Sequence, residues 1–598
     1  MTGDASGAQA PSTDAAAALL GALVAGGVRH LVLSPGSRSQ ALALVAAEFE
    51  RQGIARLHVR IDERVAGFLA LGIGRESGVP AALLCTSGTA TANYLPAVLE
   101  AHHAGVPLLL LTADRPPELR GIGANQATRQ PGLYTGFTRW EGDLPVPTEI
   151  DETGDGDQTV MLRRTAGEAL AAARGETVRP AGPVHLNLPY RDPLAGALPR
   201  WLAAPVGAEP TDAAPPESSG ALYQGGGGIG GSEGSGDGAE ADAAAAVILE
   251  HGPRTVVVAG ADAGPGAEAL AHEAGWPLIA EIVSGARFGR HLVHGYRRLL
   301  ADPSLGGRVE RAVVFGHPTL SREVAALLSR DDVTVLAVRG PGEPLNLNGA
   351  TTQVDGVSVA PGAADRAWLG AWMRASHAAS VDLSPPAPDP DALSSAVPDE
   401  RLPAIAAELA VLRAPVDRAA LVDAVWRATW PHDRLMFGSS RLVRVADTVL
   451  GGKKVPVHAN RGLAGIDGTV ATAMGIALAS QDAAERGAAG VTRVLLGDLA
   501  MLHDVGALLV PPAERAPRMQ VIVGNDGGGT IFDDLEVAGV AGPAAMDRVL
   551  YTPHEVRLEA IANAYGWEYR RVATRSELDQ ALTSGGAARL LIEVPLSR

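Results

Sequence analysis

The chain has 598 residues, and a prior of roughly 150 residues per domain predicts three or four domains. Its formal net charge of −17 argues against a general nucleic-acid or anionic-membrane binder, because both functions need a basic surface. With 46% hydrophobic residues, one cysteine (Cys85) and no apolar run near the roughly 20 residues that span a bilayer, we expect a cytoplasmic globular protein without disulfides.

The first predicted elements alternate short apolar strands with helical stretches, and we place them in a block at residues 12–203. Its predicted strands are RHLVLS, AALLCT and PLLLLT. The N-terminal residues lack the basic and long apolar regions of a secretory signal, so we expect none. Residues 204–245 are rich in Gly, Ser and Pro and have too few apolar groups to offset the entropy of ordering, which predicts a linker.

Two further blocks repeat the same alternation at residues 246–377 and 401–598. Their predicted strands are RTVVVAG, RAVVFG and VTVLAV in the second block, and RVLLGD, MQVIVGN and ARLLIEV in the third. Residues 378–400, rich in Pro, Asp and Ser, are predicted to link them. Uniformly apolar strands separated by helices are typical of parallel sheets covered on both faces, so we predict three doubly wound α/β domains. Such folds bind ligands beyond the carboxyl ends of their strands.

Two polar side chains follow neighbouring predicted strands of the third block. Asp498 lies in the sequence G-D-L after RVLL, and Asn525 lies in G-N-D after MQVIV. Carboxylate and amide oxygens are ligands that Mg²⁺ accepts, and the backbone carbonyl of Gly527 could complete the protein's share. Each sequence alone is also typical of a turn, but the pair in this strand context favours a metal site.

This pairing resembles the diphosphate-binding motif of the thiamine diphosphate-dependent enzyme superfamily. The resemblance implies that Asp498, Asn525 and Gly527 hold Mg²⁺, with Mn²⁺ as an alternative, and that the ion binds the cofactor's diphosphate. It makes 401–598 the diphosphate-binding domain and implies cofactor contacts from Gly497 and Leu499. The usual motif reads N-N or N-D-N where this chain has N-D-G, which leaves the third ligand open by one residue.

The superfamily also uses a glutamate that contacts the cofactor's aminopyrimidine ring, and the resemblance implies that Glu63 takes this role. Glu63 follows HVRID, where a strand is predicted to pass into a helix. The alternative is an ordinary carboxylate at a helix N-terminus, which the helix dipole favours. The sequences CTSGTATAN, TADRPPEL and GANQATRQPG resemble the pyrimidine-binding domain and assign that role to 12–203. Ser87 and Gly88 are then cofactor contacts.

Three sequences narrow the resemblance: SPGSRSQAL, the pair TADRPPEL and GANQATRQPG, and ANRGLAGIDGTVATA. They resemble the superfamily members that decarboxylate 2-oxoglutarate and add the resulting carbanion to isochorismate in menaquinone biosynthesis. Both substrates carry two carboxylates, which arginine binds bidentately. A surface ion pair is the alternative for any single arginine. The implied substrate-binding residues are Ser37, Arg38, Arg115, Asn125, Gln126, Ser440, Arg444, Arg461 and, from the looser match GHPTLSRE, Arg322.

The same resemblance gives Gln126 a second role and assigns roles to three further side chains. Gln126 is expected to orient the reacting intermediate. Ile466 is expected to support the bent conformation of the cofactor, with ordinary core packing as the alternative. Ile531 and Phe532 are expected to line the pocket.

Other functions fit the sequence less well. An acetolactate synthase-like enzyme would have a small apolar acceptor pocket rather than an arginine-lined one. A non-catalytic relative would commonly lack Glu63 or Asp498, and both are present. The stretch VVVAGADAGPGAEAL matches the dinucleotide fingerprint poorly, so we predict a strand, turn and helix that bind no dinucleotide. The resemblance also implies a homodimer or homotetramer with Glu63 and Asp498 of different subunits in one site.

Overall fold

The structure is a computed structural model that describes residues 9–177, 179–202, 246–483, 490–585 and 588–598. The predicted linker at 204–245 lies outside the described residues. Three parallel sheets with helices between their strands dominate the described chain, as predicted for a doubly wound α/β protein. Among the described residues, no helix is long and apolar enough to cross a membrane.

The first sheet has the strand order β2-β1-β3-β4-β6-β5, and all of its neighbouring strands are parallel. Its central strands are buried along their whole length, which explains why their sequences are mostly apolar. The strands are β1 (His30–Leu33), β2 (Arg56–Val59), β3 (Ala81–Cys85), β4 (Leu108–Asp114), β5 (Trp140–Asp143) and β6 (Pro183–Pro189). The helices are α1 (Pro11–Ala25), α2 (Gln40–Arg51), α3 (Glu63–Ser77), α4 (Thr89–Asn93), α5 (Leu95–Ala104) and α6 (Asp157–Arg174).

The middle sheet has the order β12-β11-β10-β8-β9, and β7 pairs separately with β13. The strand, turn and helix predicted around residues 256–270 form, with Pro265 at the N-cap of the helix. The strands are β7 (Val247–Leu249), β8 (Thr255–Ala259), β9 (Leu278–Ala280), β10 (Arg311–Phe315), β11 (Thr334–Val338), β12 (Thr352–Val354) and β13 (Val357–Val359). The helices are α7 (Gly266–Ala274), α8 (Tyr296–Ala301), α9 (Arg322–Leu328) and α10 (Arg366–Ala379).

The segment at 378–400 contains local helical structure. Helix α11 (Pro390–Ser394) begins at the proline that directly follows Asp389. The side chain of Asp389 caps the helix by accepting the N–H of Ala392. Helix α12 (Pro398–Arg413) runs past the boundary that we predicted at residue 400 and buries none of its residues.

The third sheet has the order β15-β14-β16-β17-β19-β18, which repeats the topology of the first sheet strand for strand. In both sheets the strand order reverses beside the first strand, and such a switch point opens a crevice at the carboxyl ends. The strands are β14 (Arg434–Phe437), β15 (Val457–His458), β16 (Thr492–Gly497), β17 (Met519–Asn525), β18 (Glu568–Arg571) and β19 (Arg589–Pro595). The helices are α13 (Arg418–Ala428), α14 (Arg441–Val449), α15 (Thr469–Ala483), α16 (Asp498–His503), α17 (Pro543–Met546), α18 (Leu558–Ala564) and α19 (Arg575–Thr583).

Helices α3 and α15 pack the first and third sheets against each other. Gly72 of α3 lies so close to α15 that an added Cβ would stand 1.9 Å from the carbonyl oxygen of Thr472. Gly475 makes the reciprocal approach to Leu69, at 2.1 Å from its carbonyl oxygen. A continuous hydrophobic core crosses this contact and includes side chains from both sheets.

Candidate active site

The predicted metal ligands follow two hydrogen-bonded strands of the third sheet. Strands β16 and β17 are parallel, and their register pairs Gly497 with Gly524. Asp498 is the first residue of α16, and Asn525 is the last residue of β17. The fold therefore places their side chains next to each other at the carboxyl edge of the sheet.

Asp498 is 2% exposed and is held by three groups. Its Oδ1 accepts the N–H of Leu499 at 2.8 Å, and its Oδ2 accepts the N–H of Gly528 at 2.8 Å. Nε2 of His554 lies 3.1 Å from the same Oδ2. Because Nδ1 of His554 accepts the N–H of Val556 at 3.2 Å, Nε2 is the nitrogen that donates to the carboxylate. Burial raises the pKa of Asp498 above its ordinary value.

The amide of Asn525 has a defined orientation. Its Nδ2 donates to Oε1 of Glu593 at 2.8 Å, and its Oδ1 accepts the N–H of Gly527 at 3.1 Å. Gly527 has φ +70°, a conformation that favours glycine, and its carbonyl oxygen accepts from Arg598 at 2.9 Å.

The oxygen atoms of Asp498, Asn525 and Gly527 fit the metal that the resemblance implies. A carboxylate, an amide oxygen and a backbone carbonyl are hard oxygen ligands, and Mg²⁺ combines few such groups with phosphate oxygens. The carboxylate of Asp526 is engaged elsewhere, with Arg418 at 2.6 Å and Thr530 at 2.5 Å. Among the described residues no cluster of three His, Cys, Asp or Glu side chains offers a different metal site.

Ser440 and Arg444 lie on the other side of the switch point of this sheet. Ser440 follows β14 as the N-cap of α14, and its buried Oγ has no hydrogen-bond partner within the described chain. A buried hydroxyl without a partner in the protein is suited to a ligand. Arg444 lies one turn further along α14 and donates to the carbonyl of Ser440 at 3.2 Å.

Arg461 is 5% exposed and reaches across to the middle sheet. Its Nε donates to Oγ1 of Thr319 at 2.9 Å, its Nη2 to the carbonyl of Thr319 at 3.0 Å, and its Nη1 to Oγ of Ser439 at 3.3 Å. The guanidinium has more N–H groups than these three acceptors use, so it retains donors for an anion.

The remaining predicted residues of this group are more open. Arg322 begins α9 and pairs with Glu536 at 3.1 Å, and both side chains are more than 70% exposed. Ile466 is 39% exposed in the loop before α15, so it is not an ordinary core residue of the single chain. Ile531 and Phe532 are half-buried in a 3₁₀ turn after the glycines.

A second group of predicted residues surrounds the switch point of the first sheet. Buried Ser87 donates its hydroxyl to the carbonyl of Gln126 at 2.9 Å and accepts a hydrogen bond from Arg115. Gln126 has φ +56° and returns a bond from its Nε2 to the carbonyl of Ser87 at 2.9 Å. Gly88, with φ +89°, donates its N–H to Oε1 of Gln130.

Arg38 is buried beside this turn, and three other predicted residues are more open. Arg38 Nη1 donates to the carbonyl of Tyr190 at 3.0 Å, while its Nε has no partner among the described residues. Glu63 is the first residue of α3 and is half-buried; Ser37 and Asn125 are exposed. Within the described residues, no hydrogen bond or ion pair joins this first-sheet group to the third-sheet group.

Sequence reasoning did not identify several residues that hold these groups in place. His554 and Glu593 bind the two predicted metal ligands, and Thr319 binds Arg461. Gln130 lies in the quoted GANQATRQPG sequence, so a motif pointed to its region. His554 and Glu593 lie in no motif that we recognised, and only the fold brings them to the site.

Comparison with known proteins shows which family the chain is similar to. The family described as "Thiamine pyrophosphate enzyme, N-terminal TPP binding domain" matches residues 13–133. A protein of Leifsonia xyli named 2-succinyl-5-enolpyruvyl-6-hydroxy-3-cyclohexene-1-carboxylate synthase is 54% identical, over 98% of this chain and 97% of its own length. Proteins with the same name from Clavibacter michiganensis and Kineococcus radiotolerans are 54% and 42% identical, each over 98% of this chain and 97% and 96% of their own lengths.

Proposed function

The chain belongs to the family of 2-succinyl-5-enolpyruvyl-6-hydroxy-3-cyclohexene-1-carboxylate synthases, and from this premise we propose how its residues divide the reaction. It is a thiamine diphosphate-dependent transferase of menaquinone biosynthesis. The reaction decarboxylates 2-oxoglutarate and adds the remaining four-carbon carbanion equivalent to isochorismate. The observation that carries the assignment is the pair Asp498 and Asn525 at adjacent strand ends.

The third sheet binds the diphosphate end of the cofactor in this proposal. Asp498, Asn525 and the carbonyl of Gly527 hold Mg²⁺ or Mn²⁺, and Gly497 and Leu499 lie against the cofactor. When bound, thiamine diphosphate supplies the carbon that attacks the 2-oxo acid and stores the electron pair left by CO₂. His554 keeps the Asp498 carboxylate oriented, as outer partners of metal ligands do.

The first sheet controls protons at the other end of the cofactor. With the cofactor bound, Glu63 would share a proton with a ring nitrogen of the aminopyrimidine and so favour the imino tautomer, whose exocyclic nitrogen is a base. Ser87 and Gly88 contact this ring, and Gln126, placed by its bonds to Ser87, orients the reacting groups. Ile466, Ile531 and Phe532 supply apolar contacts that exclude water.

The arginines bind the substrate carboxylates. Arg461 and Arg444 belong to the third-sheet group, and Arg38 and Arg115 belong to the first-sheet group. Ser37, Asn125, Ser440 and Arg322 complete the proposed contacts, and the unpaired hydroxyl of Ser440 is the best supported of the four. A concentration of buried arginine in a chain of net charge −17 suits substrates with two carboxylates each.

Two subunits build each site in this proposal, as a homodimer or a homotetramer. Apolar side chains beside the proposed site residues are exposed in the single chain, including Ile61 at 77% and Ile122 at 69%. A second copy that covered them would remove these apolar groups from water, which agrees with the assembly that the resemblance implies. A reducing cytoplasm is part of the proposal, since a chain with one cysteine forms no internal disulfide.

The test is CO₂ release from 2-oxoglutarate, measured with and without isochorismate, thiamine diphosphate and Mg²⁺. We expect Glu63→Gln to lower the rate by a factor on the order of 100 or more, because a positioned proton-transfer group contributes that much. Glu168→Gln, at an exposed position of α6, is the matched control and should retain wild-type activity. Wild-type rates in Glu63→Gln would show that the assigned proton transfer is wrong.

The metal site has a separate readout. Mg²⁺ with thiamine diphosphate should raise the melting temperature of the wild-type protein, because a ligand that binds the folded state stabilises it. Asp498→Asn should lose most of this shift. An equal shift in both proteins would show that Asp498 does not bind the metal.

A further inference from the structure

Two of the three hydrogen bonds that position Arg461 come from a loop of the middle domain. Thr319 accepts two hydrogen bonds from Arg461. Its Oγ1 accepts from Nε at 2.9 Å, and its carbonyl oxygen accepts from Nη2 at 3.0 Å. This paired contact fixes the plane of the guanidinium, since both acceptors lie along one side of it. Ser439 accepts from Nη1 at 3.3 Å and is the contribution of the third sheet.

Thr319 is itself held by a buried carboxylate. Glu281 follows β9 and is 0% exposed. Both of its oxygens accept the N–H of Thr319, at 3.0 and 3.1 Å, and its Oε1 also accepts the N–H of Leu320 at 2.7 Å. Thr319 therefore uses its N–H toward Glu281 and its two oxygens toward Arg461.

The loop that carries Thr319 has little freedom to move. Gly316 has φ +65°, and a Cβ on Gly260 would stand 2.0 Å from the backbone nitrogen of Pro318. An antiparallel bridge pairs Ala261 with His317. Residues 316–320 are thus packed against the end of β8, and they present Thr319 at a fixed place.

In this arrangement Glu281 lies near Arg461 without accepting any of its N–H groups. Burial lowers the pKa of Arg461, and the ionised form of Glu281 opposes that effect. Burial also raises the pKa of Glu281 to about 7, so this support grows as the pH rises through neutrality. A direct ion pair would use the N–H groups that an anionic substrate needs. Placing Thr319 between the two charges keeps the support and leaves donors available.

We infer that Glu281 and Thr319 are positioning residues for Arg461, and that orienting this arginine is one contribution of the middle domain to the active site. The inference rests on the proposed role of Arg461 in binding a substrate carboxylate. It assigns no contact between substrate and Glu281 or Thr319. It involves hydrogen bonds and charge, and no covalent step.

The first experiment compares Thr319→Val with Thr319→Ser in the complete enzyme with thiamine diphosphate and Mg²⁺. Valine removes the Oγ1 acceptor at nearly constant shape, and serine keeps it. We expect Thr319→Val to raise KM for 2-oxoglutarate or isochorismate about tenfold, the usual effect of one hydrogen bond to a charged group. Thr319→Ser should stay within about threefold of wild type. Thr334→Val, at an exposed position of β11, is the matched control and should leave KM unchanged.

The second experiment combines Thr319→Val with Arg461→Lys. If Thr319 acts through Arg461, the double variant should have the KM of Arg461→Lys alone, because the bond is already lost. Effects that multiply in the double variant would overturn the inference, as would a normal KM in Thr319→Val when Arg461→Lys raises it. A normal KM in Arg461→Lys itself would instead refute the proposed substrate role of Arg461.

Glu281→Gln tests the carboxylate. The amide keeps one acceptor oxygen but removes the charge. At about pH 8, above the pKa of about 7 that burial gives Glu281, we expect the same KM to rise between about threefold and tenfold with an unchanged melting temperature. A lower melting temperature with normal KM would show that Glu281 serves folding only, and would overturn its positioning role.

Discussion

Asp504 is a buried carboxyl group that makes stability depend on pH. It follows α16, is 0% exposed, and accepts the N–H of Ala471 on its Oδ2 at 2.9 Å. Its Oδ1 has no partner among the described residues. Burial raises the pKa of Asp504 to about 7. Between its ordinary pKa and about 7, the folded protein therefore binds a proton that the unfolded chain has released.

We predict that the stability of Asp504→Asn relative to the wild type increases as the pH rises from 5 to 7. In this window the free energy of unfolding of the wild type falls by about 1.4 kcal/mol per pH unit through this group, and the asparagine removes that dependence. The difference between variant and wild type should thus shift by about 2 to 3 kcal/mol in favour of the variant. Melting temperatures at several pH values measure it.

The control for this prediction is Asp331→Asn, which removes the same charge at an exposed position. It should change the free energy of unfolding by less than about 0.5 kcal/mol at either pH. If the two variants respond to pH alike, Asp504 is ionised throughout the window and its environment has been misjudged.

At the scale of single residues, sequence motifs point to candidate ligands that follow strands, but not to the side chains that hydrogen-bond to those ligands. Asp498 and Asn525 were identified because each follows an apolar run with a recognisable polar sequence. His554, which donates to Asp498, comes from a distant segment without a motif. Nothing in local sequence encodes such a contact, since only the packing of complete elements creates it.

The contact between helices α3 and α15 depends on glycine. At Gly72, an added Cβ would stand 1.9 Å from a backbone oxygen of Thr472, and backbone cannot move aside as a side chain can. We predict that Gly72→Ala costs about 3 kcal/mol or more, beyond the gain in helix propensity. The melting temperature and the yield of folded protein measure this.

Gly167 in α6 provides the matched control. It is also inside a helix, but an added Cβ there meets nothing within 4 Å. Gly167→Ala should therefore stabilise the protein by roughly 0.5 to 1 kcal/mol. If both substitutions stabilise it, α3 and α15 do not cross as closely as the structure has them.

The central strands were predictable and some edge strands were not. β3 and β4 are wholly buried, and apart from Thr112 and Asp114 at the end of β4 their sequences are apolar. β5 and β18 lie at sheet edges and read WEGD and EYRR, which give no strand signal. They form because a neighbouring strand offers its backbone hydrogen bonds, a property of the sheet rather than of the segment.

At the scale of the whole molecule, the first and third sheets share one strand order and each carries half of the proposed site. Within the described chain, no hydrogen bond or ion pair joins the proposed site residues of the first sheet to those of the third sheet. Both halves were proposed from sequence motifs, and their residues stay predictions. Their assembly from two copies rests on the resemblance and on exposed apolar groups such as Ile61, so it needs a test that separates one chain from two.

Mixing two inactive variants makes that test. In a two-fold dimer of one Glu63→Gln chain and one Asp498→Asn chain, one shared site holds both substitutions and the other holds neither. Random exchange of subunits makes about half of the dimers mixed, each with one intact site, so about a quarter of the wild-type activity should return. If each chain carried a complete site, every site would hold one substitution and no activity would return. Differently tagged chains, purified as mixed dimers, prove that exchange occurred, and inactive mixed dimers would refute a site shared between subunits.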